Sequence, residues 1–430
     1  MTISKNKMLL CKIIILWMLN SFLFAKFSYS AGILITIFSL VVFFTCNMEE
    51  KYIFILSSIP MAAIMRISEN LPSSIVILYI SYIFLYINKT KKIDKNVFIS
   101  IIVFFFLQLI DCLVFNAGIF AIISFIVNII FFYVSYKVLS NVEDKESCFI
   151  LATAVYSSSV FIDIIFSQIF PDMAYAIAYE KQAMLEMAGR FAALNGDPNY
   201  YNQFVCIAMC LIYAVVMNKN LKGFYNAFSI LFIIFLFFSG IDSGSKSFIL
   251  TVLLLIINAL YIYKKRNKLS KSFVIKIVAL SIISSGAVIF LWVKFGLPLF
   301  EMRSLDNTTL LSNREVIWIN YVTGFVSNPF IWFTGAGITN GGNLIANGAA
   351  AHNVYMEIIT ETGILGLFML NNIFKPIIVK SKNIFNDYRL LFLTALIITS
   401  LGLSLSSNDL VFVVLPIIAL IENSKMQIEK

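Results

Sequence analysis

Two apolar runs follow one another in residues 97–136, which read VFISIIVFFFLQLIDCLVFNAGIFAIISFIVNIIFFYVSY. Asp111 is the single charged residue of this stretch, and Asn116 to Gly118 separate its two runs. A hydrocarbon core of about 30 Å is crossed by a helix of about 20 apolar residues. We therefore predict that 97–115 and 117–136 are two consecutive membrane-spanning helices.

Runs of this kind recur along the whole chain of 430 residues, of which 60% are apolar and 13% are charged. A soluble domain carries about 25% charged residues, so that class is excluded, as are disordered chains and disulfide-stapled secreted domains. Because lipid cannot satisfy backbone polar groups, we predict an all-α polytopic transmembrane bundle of about 12–14 spans. The remaining predicted spans lie near 8–25, 31–46, 51–65, 72–87, 149–170, 200–217, 224–240, 247–263, 273–293, 353–374, 390–405 and 410–421.

Basic residues are concentrated in alternate loops. With both termini in the cytoplasm, 24 of the 32 basic residues fall in cytoplasmic segments, as the positive-inside rule requires. The net charge of +9 therefore reflects topology, and no nucleic-acid partner is expected. We predict one polytopic membrane domain over 1–430, with extracytoplasmic loops at 171–199 and 294–352 and a short helix in the second loop.

Two basic residues of the predicted outer side lie close to predicted helix starts. Arg190 precedes Asp197 and Pro198, which are typical of an N-cap and a first-turn proline. Lys246 lies in the stretch 239–247, where serines favour a helix start just before it. Both cations are therefore expected beside the free N–H groups of a helix.

A third cation, Arg314, lies within Leu311-Ser-Asn-Arg-Glu-Val-Ile-Trp318. Ser312 and Glu315 have the spacing of a capping box, which predicts a short helix beginning near Arg314. A cation at a helix N-terminus opposes the helix dipole, unless an anion is shared between the cation and the N–H groups. Three such placements indicate an anion site, and a diphosphate suits the bidentate geometry of arginine. Solvated loop ends are the alternative interpretation.

The chain has one histidine, His352, which lies between a glycine-rich stretch and the predicted span 353–374. An imidazole at a helix N-terminus is favoured in its neutral form and can accept a proton. His352 is therefore a candidate general base for a sugar hydroxyl, with a purely structural role as the alternative interpretation. A single histidine and the lack of a CxxC pair also predict no metal and no cofactor.

Several carboxylates are further candidates, because charged groups inside predicted spans are costly and tend to have a role. Asp111 and Asp163 lie within or near spans. Glu357 and Glu361 follow His352 closely and are candidates to orient it or to pair with the cations, whereas Asp242 precedes Lys246 by four residues. Helix capping and local pairing are the alternative for each.

The order of these motifs resembles the O-antigen polymerase/O-antigen ligase superfamily. That family shows an arginine, a tryptophan a few residues later, a G-x-G turn, then His-Asn-x-Tyr and a Glu-x-Gly segment. The matching positions are Arg314, Trp318, Asn328-Pro329, Gly335-Ala-Gly337, Ala351-His-Asn-Val-Tyr355 and Glu361-Thr-Gly-Ile-Leu-Gly366, preceded by Arg190, Gly196-Asp-Pro-Asn199 and Lys246. Lys246 departs from the family, in which many members have arginine, so its part in binding is the least defined.

The resemblance implies a GT-C-like glycosyltransferase that acts on glycans carried by undecaprenyl diphosphate, as both donor and acceptor. It implies that His352 and Arg314 are catalytic and that Arg190, Lys246, Asn199, Asn353 and Tyr355 bind the diphosphate or the substrate. The acceptor hydroxyl would attack the anomeric carbon at the outer face of the membrane, and lipid diphosphate would leave. Membrane lipid and a chain-length regulator are the further partners that it implies.

Three functions remain open at this stage. A polymerase of O-antigen or another surface polysaccharide is the first, and the composition rich in Ile, Phe, Lys and Asn favours it by association. An O-antigen ligase uses the same donor but transfers the glycan to lipid A–core. A flippase or other transporter would also have many spans, but it tends to have two related halves, which this sequence does not show.

Overall fold

The computed structural model describes residues 3–68, 73–90, 93–171, 191–217, 223–266, 314–345, 348–381, 387–404 and 409–421. These residues form α-helices joined by turns and short 3-10 helices, with no strand among them. The helices are α1 (Ile3–Phe27), α2 (Gly32–Thr45), α3 (Met48–Ser58), α4 (Ile75–Thr90), α5 (Lys95–Phe115), α6 (Ile119–Ser140), α7 (Lys145–Ile169), α8 (Pro198–Val216), α9 (Gly223–Asp242), α10 (Lys246–Arg266), α11 (Arg314–Ser327), α12 (Pro329–Thr334), α13 (Gly341–Ile345), α14 (Val354–Ser381), α15 (Leu391–Ser400) and α16 (Asp409–Val414). Four 3-10 helices join them, at Ser28–Ala31, Ala193–Asn195, Tyr388–Leu390 and Leu415–Leu420.

The lengths of these helices confirm the predicted all-α polytopic class. Six helical segments of the described chain are long and apolar enough to cross a membrane. They are Asn6–Thr45, Lys95–Phe115, Ile119–Ser140, Lys145–Ile169, Pro198–Val216 and Val354–Val379. Several of the other predicted spans correspond to shorter apolar helices, and 273–293 lies outside the described residues. The total of about 12–14 spans therefore stays a prediction.

Polar side chains cap the starts of several helices. Asn47 and Glu50 form a capping box at α3, in which each side chain accepts a backbone N–H at 2.9 Å. Asp197 accepts the N–H of Asn199 at 2.7 Å, and Pro198 occupies the first turn of α8. The predicted start of α8 is therefore confirmed. Such caps satisfy N–H groups that have no partner within the helix.

Helix α8 lies at the centre of the bundle. Over an apolar stretch of 18 residues, 83% of α8 is buried inside the protein, against 22% for α5. Helix α8 packs against α7, α9, α10 and α15. Tyr200, near its start, bonds to Ser404 beyond the end of α15, and Gln203 bonds to Ser400 in the last turn of α15. The far end of α8 and Arg389, just before α15, border the same cavity. The two helices are therefore antiparallel, and the chain after α15 returns to the start of α8.

Helix α14 is broken at Gly363, where φ is 59° and ψ is −176°. The break frees the carbonyl groups of Thr360 and Glu361, which accept the N–H groups of Ala336 (2.9 Å) and Gly337 (3.1 Å). A Cβ at Gly335 would lie 2.2 Å from the carbonyl oxygen of Glu361. The glycines of the G-x-G and Glu-x-Gly motifs thus permit two backbone segments to approach each other closely.

The two predicted outer loops are described in part. Residues 172–190 of the first loop lie outside the described residues, and the Ala193–Asn195 turn leads from there to α8. In the second loop the described chain resumes at Arg314, which already lies in a helix. Ser312 of the predicted capping box lies outside the described residues, so the start of this helix stays a prediction. The described part of that loop also contains α12 and α13, which the sequence did not predict. Residues 294–313 of the second loop lie outside the described part of the chain.

Candidate active site

Four separate elements meet at one end of the bundle. Arg314 is the first residue of α11, His352 lies two residues before α14, and Tyr200 lies in the first turn of α8. The fourth element is the segment Gly402–Ser404, which follows α15 and is defined here as the 402–404 segment. The contacts of this segment bring the two predicted catalytic residues to the same place.

The 402–404 segment touches each of the other elements. Ser404 Oγ lies 3.4 Å from Nδ1 of His352, and the Ser404 carbonyl accepts the hydroxyl of Tyr200 at 3.1 Å. A Cβ built on Gly402 would lie 3.5 Å from a guanidinium nitrogen of Arg314. The guanidinium of Arg314 therefore lies near one end of the segment and the imidazole of His352 near the other end.

Arg314 is a partly desolvated cation. Burial lowers the pKa of its guanidinium from the usual value, and the carboxylate of Asp197 acts in the opposite direction. An arginine keeps its charge under these conditions. Because desolvation strengthens electrostatic interactions, this cation would attract an anion more strongly than a fully hydrated one.

His352 has an unusual backbone conformation, with φ at 48° in the left-handed region. This conformation costs of order 1–3 kcal/mol for a residue other than glycine, and the surrounding structure has to hold it. The residues on both sides are fixed: the carbonyl of Ala351 accepts the indole N–H of Trp318 at 2.9 Å, and Asn353 caps α14. The side chain of His352 itself is exposed.

Helix α11 holds the chain just before His352, at residues 349–351, through two aromatic side chains. Trp318 bonds to Ala351, and the hydroxyl of Tyr321 donates to the carbonyl of Ala349 at 3.3 Å. Arg314 and Trp318 are four residues apart, so they lie on the same face of α11. The arginine-tryptophan spacing thus fixes the distance along the helix between the cation and the bond that holds the histidine segment.

Asn353 and Tyr355 bind neighbouring parts of the protein in this structure. Oδ1 of Asn353 accepts the N–H groups of Tyr355 (3.1 Å) and Met356 (3.3 Å), which is the role of an N-cap. The Tyr355 hydroxyl donates to the carbonyl of Ile397 at 3.1 Å. These contacts explain how the His-Asn-x-Tyr motif fixes the start of α14 against α15.

Asn199 and Lys246 are brought together by the starts of α8 and α10. Lys246 is the first residue of α10, which confirms its predicted position in the first turn. Its side chain is exposed. The hydroxyl of Ser245 donates to Oδ1 of Asn199 at 3.5 Å, and Asn202 donates to Ser247 at 2.8 Å. Lys246 is thereby located near the helix start that is capped by Asp197.

Arg190 lies outside the described residues, but the residue after it is well fixed. The N–H of Phe191 donates to the carbonyl of Asp242 at 2.9 Å, and its ring meets that of Tyr201 edge-on at 5.2 Å. The carboxylate of Asp163, wholly buried, accepts the N–H of Leu194 at 3.1 Å. These bonds fix the chain between Arg190 and α8.

Two of the other candidate carboxylates, Asp111 and Glu361, accept hydrogen bonds from neighbouring groups. Oδ2 of Asp111 accepts the side-chain amide of Gln108 at 3.1 Å. Glu361 accepts the N–H of Thr339 at 3.0 Å, beside the break in α14. Local pairing therefore accounts for these contacts of Asp111 and Glu361.

The 402–404 segment and Tyr200 were missed in the sequence. Ser404 lies at the end of a predicted span in a run of serines, which gives no signal of proximity to a histidine 52 residues earlier. Trp318 was noticed only as part of a family motif. Within the described residues, no group of three or more His, Cys, Asp or Glu side chains is arranged to hold a metal ion.

The described chain thus defines a helical membrane protein that has an arginine and a histidine at one polar site. Residues 227–370 match the family model described as O-Antigen ligase, a range that includes Lys246, Arg314 and His352. This part of the chain therefore carries the domain of that family, and the resemblance to the O-antigen polymerase/ligase superfamily is confirmed. No curated protein matches the chain significantly.

Proposed function

We propose that the protein is an O-antigen polymerase, a glycosyltransferase that joins repeat units carried on undecaprenyl diphosphate at the outer face of the cytoplasmic membrane. The observation that carries this proposal is the approach of both Arg314 and His352 to the 402–404 segment. A guanidinium and an imidazole at one site suit a reaction that releases a diphosphate and removes a proton from a hydroxyl.

The proposed reaction is a substitution at the anomeric carbon of the donor. The acceptor hydroxyl oxygen forms a bond to that carbon while the bond from the carbon to the phosphate oxygen breaks. The diphosphate leaves with the electron pair, and the hydroxyl proton passes to His352. The products are a glycan longer by the transferred chain and undecaprenyl diphosphate.

Arg314 stabilises the charge that develops on the leaving diphosphate, because its desolvated guanidinium can bind phosphate oxygens bidentately. Arg190 and Lys246 would bind the same diphosphate from the starts of α8 and α10, and Asn199 would bind it or the adjoining sugar. Asn353 and Tyr355 would contribute to the substrate site by fixing α14 beside it. Cationic side chains take the role of charge neutralisation in this mechanism, which uses no metal or organic cofactor.

We also propose that both termini are cytoplasmic and that the active site faces outward. The support comes from the opposite end of the bundle, where a cavity is lined by residues of two predicted cytoplasmic segments and by the last residues of the final predicted span. Its lining includes Glu146, Arg389 and Ile421. Substrates that have already crossed the membrane would then meet the site directly, together with membrane lipid and a chain-length regulator.

An O-antigen ligase is the main alternative. It would use the same donor and the same residues but lipid A–core as the acceptor, and the described site contains no feature that selects the acceptor. A lipid-linked oligosaccharide flippase is the second alternative. It does not require a general base, so the environment of His352 favours a transferase.

The test is complementation of a polymerase-null strain, with the surface glycan separated on a gel. We expect a long ladder from the wild type and a single repeat unit on core from His352→Gln and Arg314→Ala. Lys137→Ala is a matched control, since this cation lies in the last turn of α6 and contacts the ring of Tyr133.

The same variants are then tested in a ligase-null strain, with membrane levels of each protein measured by immunoblot. Attachment of preformed chains without a ladder in the first strain would establish the ligase alternative. Full ladders from both site variants at normal protein levels would contradict the proposed site, whichever acceptor is used.

A further inference from the structure

We infer that Ser404 is a positioning residue that holds the imidazole of His352 in one tautomer, with Nδ1–H donating to Ser404 Oγ and Nε2 as the proton acceptor. This inference rests on the proposed role of His352 as a general base. It extends that role to a residue that no sequence motif identifies. It also assigns the two ring nitrogens to different tasks.

The first support is the fixed position of Ser404. Ser404 is only 8% exposed, and its carbonyl accepts a hydrogen bond from the hydroxyl of Tyr200 at 3.1 Å. Tyr200 belongs to the first turn of α8, the most deeply buried of the six candidate spans. Ser404 is therefore attached to the rigid centre of the bundle although it follows the end of α15.

The second support is the fixed backbone of His352. Trp318 holds the carbonyl of Ala351 before it, and Asn353 caps α14 after it. The left-handed conformation of His352, with φ at 48°, directs its side chain away from the path of a regular helix. Only the ring orientation remains to be set, and the contact to Ser404 at 3.4 Å can set it.

The third support is the chemistry of neutral imidazole, in which one nitrogen is a donor and the other an acceptor. The hydrogen bond made by one nitrogen decides which of them carries the proton. A hydroxyl oxygen can accept from Nδ1–H, which places the lone pair on Nε2. The bond is long at 3.4 Å, and hydrogen bonds of catalytic groups often shorten when the substrate is bound.

The chain allows a direct measurement, because His352 is its only histidine. Full-length protein is labelled with 15N-histidine, purified through a tag without histidine, and examined by NMR in detergent micelles without substrate. The nitrogen shifts of one imidazole then report which nitrogen carries the proton. We expect Nδ1 to be protonated in the wild type and in Ser404→Thr, and the population to shift towards Nε2–H in Ser404→Ala.

Ser400→Ala is the matched control, since Ser400 is a buried serine one turn earlier whose hydroxyl bonds to Gln203. It should retain the wild-type tautomer. A wild-type spectrum dominated by Nε2–H, or an unchanged tautomer in a folded Ser404→Ala, would overturn the inference.

A second measurement uses glycosyl transfer by the purified full-length protein, with lipid-linked repeat unit extracted from the parent strain as the probe. We expect Ser404→Ala to lower kcat about tenfold or more with little change in KM, and to alter the pH profile of kcat. Ser404→Thr should restore both. Equal losses in Ser404→Ala and Ser404→Thr would contradict a positioning role. The NMR result does not depend on the acceptor, so failure of the polymerase assignment is distinguishable from failure of this inference.

Discussion

The indole N–H of Trp318 donates a 2.9 Å hydrogen bond to the carbonyl of Ala351. Trp318 lies one helical turn after Arg314, and Ala351 immediately precedes His352. This bond therefore joins the helix that carries the cation to the segment that carries the imidazole. Because both catalytic candidates depend on it, small changes at Trp318 are expected to affect both.

We expect Trp318→Phe to reduce glycosyl transfer while the protein remains folded. The substitution keeps an aromatic side chain, but the buried carbonyl of Ala351 loses its donor, which costs about 1–3 kcal/mol. If about 1.4 kcal/mol of this is lost from the transition state, transfer slows about tenfold. Initial rates and the unfolding temperature measure the two effects. Trp332→Phe on α12 is the control, because its ring lies at the surface and stacks on Phe325; equal losses in both variants would refute the special role of Trp318.

Substitutions at Gly402 should depend on side-chain size. The nearest atoms to a built Cβ are 3.5 Å and 3.8 Å away, which are ordinary contacts, so Gly402→Ala should retain nearly full activity. Gly402→Leu extends beyond Cβ towards the guanidinium of Arg314 and should lower transfer at least about tenfold, because displacement by 1 Å can cost far more. Ladder length and transfer rate measure this dependence on size. Loss of activity in Gly402→Ala would show that glycine is needed there for another reason.

Gly363→Ala should destabilise the protein. The residue has a positive φ, and its Cβ would lie 2.6 Å from both the Gly335 nitrogen and the Phe333 carbonyl oxygen. Backbone atoms cannot move aside cheaply, so we expect a loss of at least about 2 kcal/mol in the free energy of unfolding.

Thermal unfolding of the purified protein in detergent measures this loss. Gly118→Ala is the control, since no atom lies within 4 Å of its built Cβ and its φ is −71°. A Gly363→Ala protein as stable as Gly118→Ala would mean that the break in α14 is not required.

Asp163 should be replaceable by an acceptor of the same shape but not by an apolar residue. Asp163→Asn keeps an oxygen for the N–H of Leu194, whereas Asp163→Leu leaves that N–H without its partner. Loss of a buried hydrogen bond costs about 1–3 kcal/mol, so the Leu194 amide should exchange about tenfold faster or more in Asp163→Leu. Hydrogen exchange with mass spectrometry of peptides over 191–199 measures the change. Equal protection in both variants would contradict an anchoring role for the carboxyl group.

The sequence predicted several local features of the site correctly. Asp197 and Pro198 identified the start of α8, and the serines before Lys246 identified the start of α10. Capping involves residues no more than about three positions apart, so such signals are contained in a short stretch of chain. The helix that contains Arg314 was expected from the same kind of signal, although its predicted cap, Ser312, lies outside the described residues.

The contacts within the site were not predictable in this way. His352 and Ser404 are 52 residues apart, and Tyr200 and Ser404 are 204 residues apart. The antiparallel packing of α8 and α15 decides the contact between Tyr200 and Ser404, and the position of the start of α14 beside α15 decides the contact with His352. The break at Gly363 was also not predicted, because the surrounding run is apolar and has the pattern of one continuous span.

The sequence by itself therefore determined the membrane class, the starts of several helices and the resemblance of the region 227–370 to the O-antigen ligase family. The tertiary structure decided which helices are neighbours and which residue supports His352. The physical reason is that lipid tails are as apolar as the helix interfaces, so hydrophobicity reveals a span but not the face through which it packs. Packing of small and polar side chains makes that choice, and only the folded bundle brings Ser404 to the imidazole.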